Sequence, residues 1–148
     1  MPSVDCGFNE QNLLEHFGPT LRVRIGFDPN YSPNAVSPPN LPGELWPALV
    51  DTGARESCID STLADELQLP IFDRVSISGV HGKQELNLHL AQIYVPSLQF
   101  TTYGRFAGVH LIAGGQRHYA LIGRSFLRNF NMVYNGKTGS VTLSHSFR

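Results

Sequence analysis

The segment Ala48-Leu49-Val50-Asp51-Thr52-Gly53-Ala54 constrains this chain more than any other. An apolar run that ends in a carboxylate and continues Thr-Gly describes a buried strand stopping at an acid and entering a tight turn. Gly53 permits backbone angles and close approaches that other residues do not. Setting an Asp beside buried neighbours costs free energy unless the fold holds that carboxyl for a purpose. Much further along, Tyr119-Ala120-Leu121-Ile122-Gly123-Arg124 repeats the design of a short apolar strand ending in glycine.

Around these two segments the chain reads as an all-β domain. Leu21, Val23, Ile25 and Phe27 alternate with Arg22, Arg24 and Gly26, the pattern of a half-buried strand. The proline-rich stretch from Asp28 to Gly43 is a solvent-exposed loop. Leu45 to Val50 feeds the Asp51 turn, with Pro47 expected to confine its pairing to an edge or a bulge. Ser57-Cys58-Ile59 is a short strand, and Asp60-Ser61-Thr62 offers caps for a helix over Leu63 to Leu69, Thr62 with Asp65 fitting a capping-box-like pair. Val75 to Val95 reads as a hairpin turning at Gly79 to Lys83, with a bulge expected at Ala91 where the apolar parity slips. Leu98 to Ile112 suggests two strands broken near Gly104 and Gly108. Ala120 to Ile122 is a buried strand, Ser125 to Asn129 a short helix, and Met132 to Leu143 a hairpin around Asn135-Gly136. The expected fold is a closed or sandwich-like β domain over residues 20–148, with one or two short helices. Residues 1–19 form an N-terminal arm with a short helix carrying Leu13, Leu14 and Phe17 on one face.

Composition narrows the function. At 148 residues the chain can bury a sizeable core as one domain. A formal charge of −1 with 16% charged residues announces no basic face, so neither nucleic acid nor anionic lipid is expected as a partner. No apolar run approaches a membrane span, and Met1-Pro2-Ser3-Val4-Asp5-Cys6 lacks the pattern of a secretory signal. Cys6 and Cys58 are far apart without metal or redox spacing, which suits reduced thiols and a cytoplasmic location. The six histidines show no metal-ligand spacing, Ser57 and Ser125 lack a nucleophile elbow, and no glycine-rich phosphate loop precedes a helix. Neither a metal nor a cofactor is expected.

Together, Asp51-Thr52-Gly53-Ala54 and Leu121-Ile122-Gly123-Arg124 resemble the motifs of the retropepsins, the single-domain aspartic proteases, and the resemblance covers the chain from about Leu21 to Leu143. It implies a retropepsin-like closed β fold and hydrolysis of peptide bonds by a pair of carboxylates sharing one water. One carboxylate is ionised and takes a proton from the water, while the other is protonated and polarises the scissile carbonyl. Adjacent like charges cannot both ionise easily, so such a dyad titrates as a unit. With a single Asp-Thr-Gly, the mechanism requires two chains, each giving Asp51 across a two-fold axis. By the same resemblance Thr52 donates across that axis, Gly53 lets the backbone approach substrate, and Leu121, Ile122 and Gly123 pack beneath the catalytic turn. Arg124 is expected to pair with an acid past that turn. The residue after Ala54 is Arg55, where many retroviral enzymes carry an acid, which leaves Glu56 as the nearest candidate.

The hairpin tip Gly79-Val80-His81-Gly82 alone reads as a surface turn, and its place between the two motifs matches the family's flap, a lid over an extended peptide. Val80, Ile122 and Phe126 suggest apolar side chains flanking the cut. Ala54 cannot hydrogen-bond the neighbouring carboxylate as Ser or Thr there could, so the expected activity optimum is mildly acid, about pH 5 to 6. Two function classes stand at this point. One is a homodimeric aspartic endopeptidase acting on protein or peptide substrates. The other is a retropepsin-fold peptide-binding or dimerisation module whose cleavage is lost or confined to self-processing.

Overall fold

The computed structural model describes residues 2–79 and 82–145. Among them the chain forms β1 (Ser3–Asp5), α1 (Gln11–Phe17), β2 (Thr20–Gly26), β3 (Trp46–Val50), β4 (Cys58–Asp60), α2 (Ser61–Glu66), β5 (Ile71–Gly79), β6 (Gly82–Val95), β7 (Phe100–Val109), β8 (Ala120–Ile122), α3 (Arg124–Leu127), β9 (Phe130–Asn135) and β10 (Ser140–His145). The larger sheet runs β2-β3-β8-β4-β7-β6-β5, and β2 also pairs with β6 through Arg24–Tyr94, Ile25–Ile93 and Gly26–Gln92. That pairing closes a barrel and leaves β5 projecting from it as one arm of a hairpin. Closure removes the exposed edges that an open sheet of these strands would have. The domain is all-β with short helices, as expected.

Alternation along β2 sends Leu21, Val23 and Ile25 inward, where they meet Ile93, Val95 and Ile59. The connection that matters most is parallel: β3 lies beside β8 with Ala48, Leu49 and Val50 opposite Ala120, Leu121 and Ile122. Parallel neighbours end on the same side, so Asp51 and Gly123 leave the sheet together. A second sheet, β1-β10-β9, is tied to the barrel by an aromatic cluster. In it, Phe126 lies 4.9 Å from Phe130 and 5.3 Å from Phe100, ring centre to ring centre.

Residues of the N-terminal arm, Cys6 and Leu14 among them, share this core. Leu14 on α1 is 1% exposed and Cys6 is buried. Cys6 donates its N–H to Val141 and accepts at its carbonyl from Thr20, both at 2.8 Å. Burial pushes the Cys6 thiol up to about 11. Gly139, at φ +78, adopts the left-handed backbone that favours glycine, and a Cβ there would collide with the Glu10 backbone.

Several local expectations change. β3 is an internal strand between β2 and β8 rather than an edge. Pro47 is tolerated because the β8 ladder begins one residue later, and its carbonyl still accepts from Tyr119 at 2.9 Å. β7 is one continuous strand: Gly104, at φ +129, bends it without breaking its pairing to β6. The irregularity in the hairpin sits between Ile71 and Asp73 on β5, not at Ala91. There the buried His89 takes an inward position and anchors Nδ1 to the Leu69 carbonyl at 3.2 Å, which accounts for the parity change along β6. α2 is capped by Asp60, whose Oδ2 accepts from the Leu63 N–H at 3.1 Å.

Candidate active site

The Asp51 turn is built almost wholly from backbone. Asp51 donates its N–H to the Ile122 carbonyl at 2.9 Å, extending the β3–β8 pairing by one step, and its own carbonyl accepts from Ala54 at 3.2 Å. The carboxylate Oδ1 accepts from the Gly53 N–H at 2.9 Å. A Cβ on Gly53 would stand 3.1 Å from that oxygen, tighter than nearly all side chains tolerate. Among the described residues no donor meets Oδ2, and the side chain is half-buried beside exposed Thr52 and Gly53. One oxygen is therefore held in place and the other is open.

The second motif packs against this turn. Gly123 is buried, and a Cβ there would lie 2.8 Å from the Glu56 carbonyl and 2.9 Å from that of Ala54, so two backbones pass at a distance only glycine allows. The segments are then joined by hydrogen bonds from Arg124 N–H to Ala54 O and from Ser125 N–H to Arg55 O, each 2.9 Å. Gly123 N–H donates to the buried Ser57 hydroxyl at 3.0 Å. The Arg124 guanidinium donates to the Thr52 carbonyl at 2.8 Å, not to Glu56. Glu56 instead sits 3.8 Å from its neighbour Arg55 in an exposed pair. An Arg that grips the turn's own backbone carbonyl needs no acid, which accommodates Arg55 at a position where an acid was the expectation. Such a surface pair contributes at most about 1 kcal/mol.

Two residues of this site were not singled out from the sequence. Ser57 carries the hydrogen bond to Gly123, and its one signal was a hydroxyl inside a short apolar strand. Cys58 follows on β4, opposite Leu121 and Ala107. Burial pushes its thiol up to about 11, with the negative charge of Asp51 adding to the effect and a backbone hydrogen bond with Leu121 opposing it.

Ile122 and Phe126 are both 0% exposed, so neither can meet a bound peptide, and that part of the expected subsite is corrected. They support the turn from below. Gly79 and Gly82 form the last described pair of the β5–β6 hairpin, and Gly82 at φ +98 has open space where a Cβ would be. Val80 and His81, the other expected tip residues, lie outside the described residues. Among the described residues no group of three or more His, Cys, Asp or Glu side chains could hold a metal, and no helix is long and apolar enough to cross a membrane.

No protein-family model matches the sequence, and no curated protein matches it. In structure the chain is similar to the simian foamy virus (mac) protease in solution, with a TM-score of 0.48 and 15% identity over 74% of this chain and 91% of that one. It is also similar to the EIAV protease solved with the inhibitor HBY-793, with a TM-score of 0.44 and 19% identity over 74% of this chain and 85% of the other.

Proposed function

We propose that the chain is an aspartic endopeptidase that hydrolyses peptide bonds in extended peptide segments as a symmetric homodimer. The observation that carries this reading is the Asp51 carboxylate: half-buried, fixed by the Gly53 N–H at one oxygen, open at the other, and mounted on a turn clamped by Gly123 and Arg124. A carboxylate that only stabilised the turn would be expected to accept donors at both oxygens, as Asp60 does. Water activation needs the reverse, a preorganised group with a free acceptor.

Asp51 is the catalytic acid/base in this reading, and one chain carries half of the dyad. In this reading a two-fold axis beside the turn brings the second Asp51 alongside, and Thr52, exposed at the turn, bonds across that axis. Gly53 and Ala54 keep the turn low enough for a peptide backbone to approach. Leu121, Ile122, Gly123 and Arg124 support it. The hairpin tip Gly79 to Gly82 acts as the lid, its arms carrying few side chains packed on the rest of the molecule. The substrate is a protein or peptide, and no cofactor takes part.

The test is digestion of an unbiased peptide library from about pH 3.5 to 8, comparing the natural chain with Asp51→Ala at high protein concentration. Site-selective cutting that disappears in the variant is expected, with greatest activity near pH 5 to 6. Absence of cutting by a demonstrated dimer would replace this reading with that of a peptide-binding module.

A further inference from the structure

We infer that the concavity between α2 and the β6 arm of the hairpin binds a primary ammonium group, carried by a lysine side chain or by a free amine. Its described walls come from α2, β6 and the end of β7, not from the Asp51 turn. The inference therefore stands apart from the endopeptidase reading.

His89 forms the floor. The ring is 1% exposed, and only one of its nitrogens has a partner: Nδ1 lies 3.2 Å from the Leu69 carbonyl. A carbonyl can only accept, so Nδ1 carries the proton and Nε2 of the neutral ring presents a lone pair. Among the described residues nothing donates to Nε2. Gly108, another wall of the concavity, keeps that nitrogen within reach. A Cβ at Gly108 would stand 3.1 Å from Nε2, hydrogen-bond distance from the acceptor, and 3.5 Å from the Ser61 Cα. The space that a side chain would fill is where a donor can sit. Leaving a buried acceptor without a donor costs free energy, and a ligand supplies what the fold does not.

The walls above this floor are acidic. The concavity, of about 180 Å³, is bounded by Asp65 on α2 and Glu85 on β6. Ser61 and His110, joined Oγ to Nδ1 at 2.7 Å, line it as well. Strand alternation puts Glu85 on the same face of β6 as His89. Among the described residues neither Asp65 nor Glu85 has an ion-pair partner, and no lysine or arginine lines the space. A bare imidazole nitrogen below two unpaired carboxylates favours a cation that donates hydrogen bonds. Size and shape then select among such cations. The volume is well under that of a site for a drug-sized molecule and admits one small group. An ammonium donates in three diverging directions, which suits acceptors mounted on separate elements, whereas the donors of a guanidinium lie in one plane.

The test follows the His89 ring nitrogens of the natural chain by long-range proton–nitrogen NMR at about pH 7.5, where an ordinary imidazole is neutral. The free-amine probe is n-butylamine, and the side-chain probe is a short lysine peptide blocked at both ends. Tetramethylammonium, a cation without an N–H, is the control. A saturable change at His89 Nε2 is expected with n-butylamine and not with tetramethylammonium. Its dissociation constant should be about 1–10 mM, the range open to a ligand of so few atoms. Tighter binding of the lysine peptide assigns the site to a polypeptide side chain, tighter binding of n-butylamine assigns it to a free amine, and both uphold it. Gly108→Ala fills the donor's position and should abolish the change. Asp65→Asn combined with Glu85→Gln, both on the surface, should weaken binding at least about fivefold. If Gly108→Ala does not fold, the surface variant decides alone. Undiminished binding in the folded variants, an equal response to tetramethylammonium, or no saturable change at His89 overturns the inference.

Discussion

Asp51 and Asp60 each close a short apolar strand, and their hydrogen bonds separate them. Asp60 is 1% exposed, with Oδ2 on the Leu63 N–H and Oδ1 on the N–H groups of Leu111 and Ile112 at 3.1 and 3.0 Å. It is a buried acceptor consumed by backbone, joining β4, α2 and the loop after β7. Asp60→Ala leaves those donors unsatisfied and should cost roughly 2–4 kcal/mol of folding stability. Asp51→Asn should stay within about 0.5 kcal/mol of the natural chain in urea unfolding while abolishing cleavage. Equal losses of stability in the two variants would contradict the contrast. His118 sets a pH dependence of a different kind. Burial lowers its pKa from 6.5, so the folded chain resists a proton that the unfolded chain accepts. Stability from this group is complete above the unfolded value and is lost as pH falls through 6.5 toward the lower folded value. The melting temperature of the natural chain should therefore drop more between pH 7 and 5 than that of His118→Gln.

At the scale of elements, what was legible followed from local rules. The alternation in β2, the Asn135-Gly136 hairpin and the two glycine-ended strands each carry their own geometry in a few consecutive residues. What was not legible depended on neighbours. Pro47 looked like an edge residue because the sequence does not show where the β8 ladder starts, and Gly104 looked like a break because its pairing partner, Ala91, lies on another strand. The parity slip along β6 was visible, but its position was fixed by β5 and by His89, which bonds a carbonyl twenty residues away. Ile122 and Phe126 read as subsite residues because apolar character does not distinguish the lining of a cleft from the layer under it. The arm was the hardest element to read: a seven-residue helix is unstable alone and owes its order to packing. Leu14→Ala, which empties a site only 1% exposed, should cost about 2–5 kcal/mol in denaturant unfolding. A loss below 0.5 kcal/mol would mean that α1 is ornamental to the core, contrary to its buried contacts.

For the whole molecule the decisive question is how two copies would meet. Open strand edges are usually guarded by charge, proline, short length or a bulge, because unpaired backbone groups invite another strand. The edge at β1 is three residues long and ends on Asp5, and the edge at β5 carries Asp73 and Arg74 together with an irregularity. By contrast β9, Phe130-Asn131-Met132-Val133-Tyr134-Asn135, has no charge, proline or glycine, and among the described residues no strand pairs with its outer side. Val133 there is 64% exposed and Tyr134 is exposed beside it. This strand also follows directly from α3, whose first residue, Arg124, holds the Asp51 turn through Thr52. An antiparallel pairing of two β9 strands is self-complementary about a two-fold axis, brings no like charges together, and would couple the interface to the Asp51 turn of each copy through one short helix. Val133→Lys places a charge from each copy at that contact. It should raise the dimer dissociation constant at least about tenfold in sedimentation equilibrium, with little change in the stability of the single chain. Specific activity should then fall on dilution at a protein concentration higher by the same factor, the outcome that a site divided between two chains requires. Dimers as tight as those of the natural chain would move the interface away from β9. Activity that stays constant per chain on dilution into the monomer range would mean that one Asp51 suffices, and the two-carboxylate mechanism would fail with it.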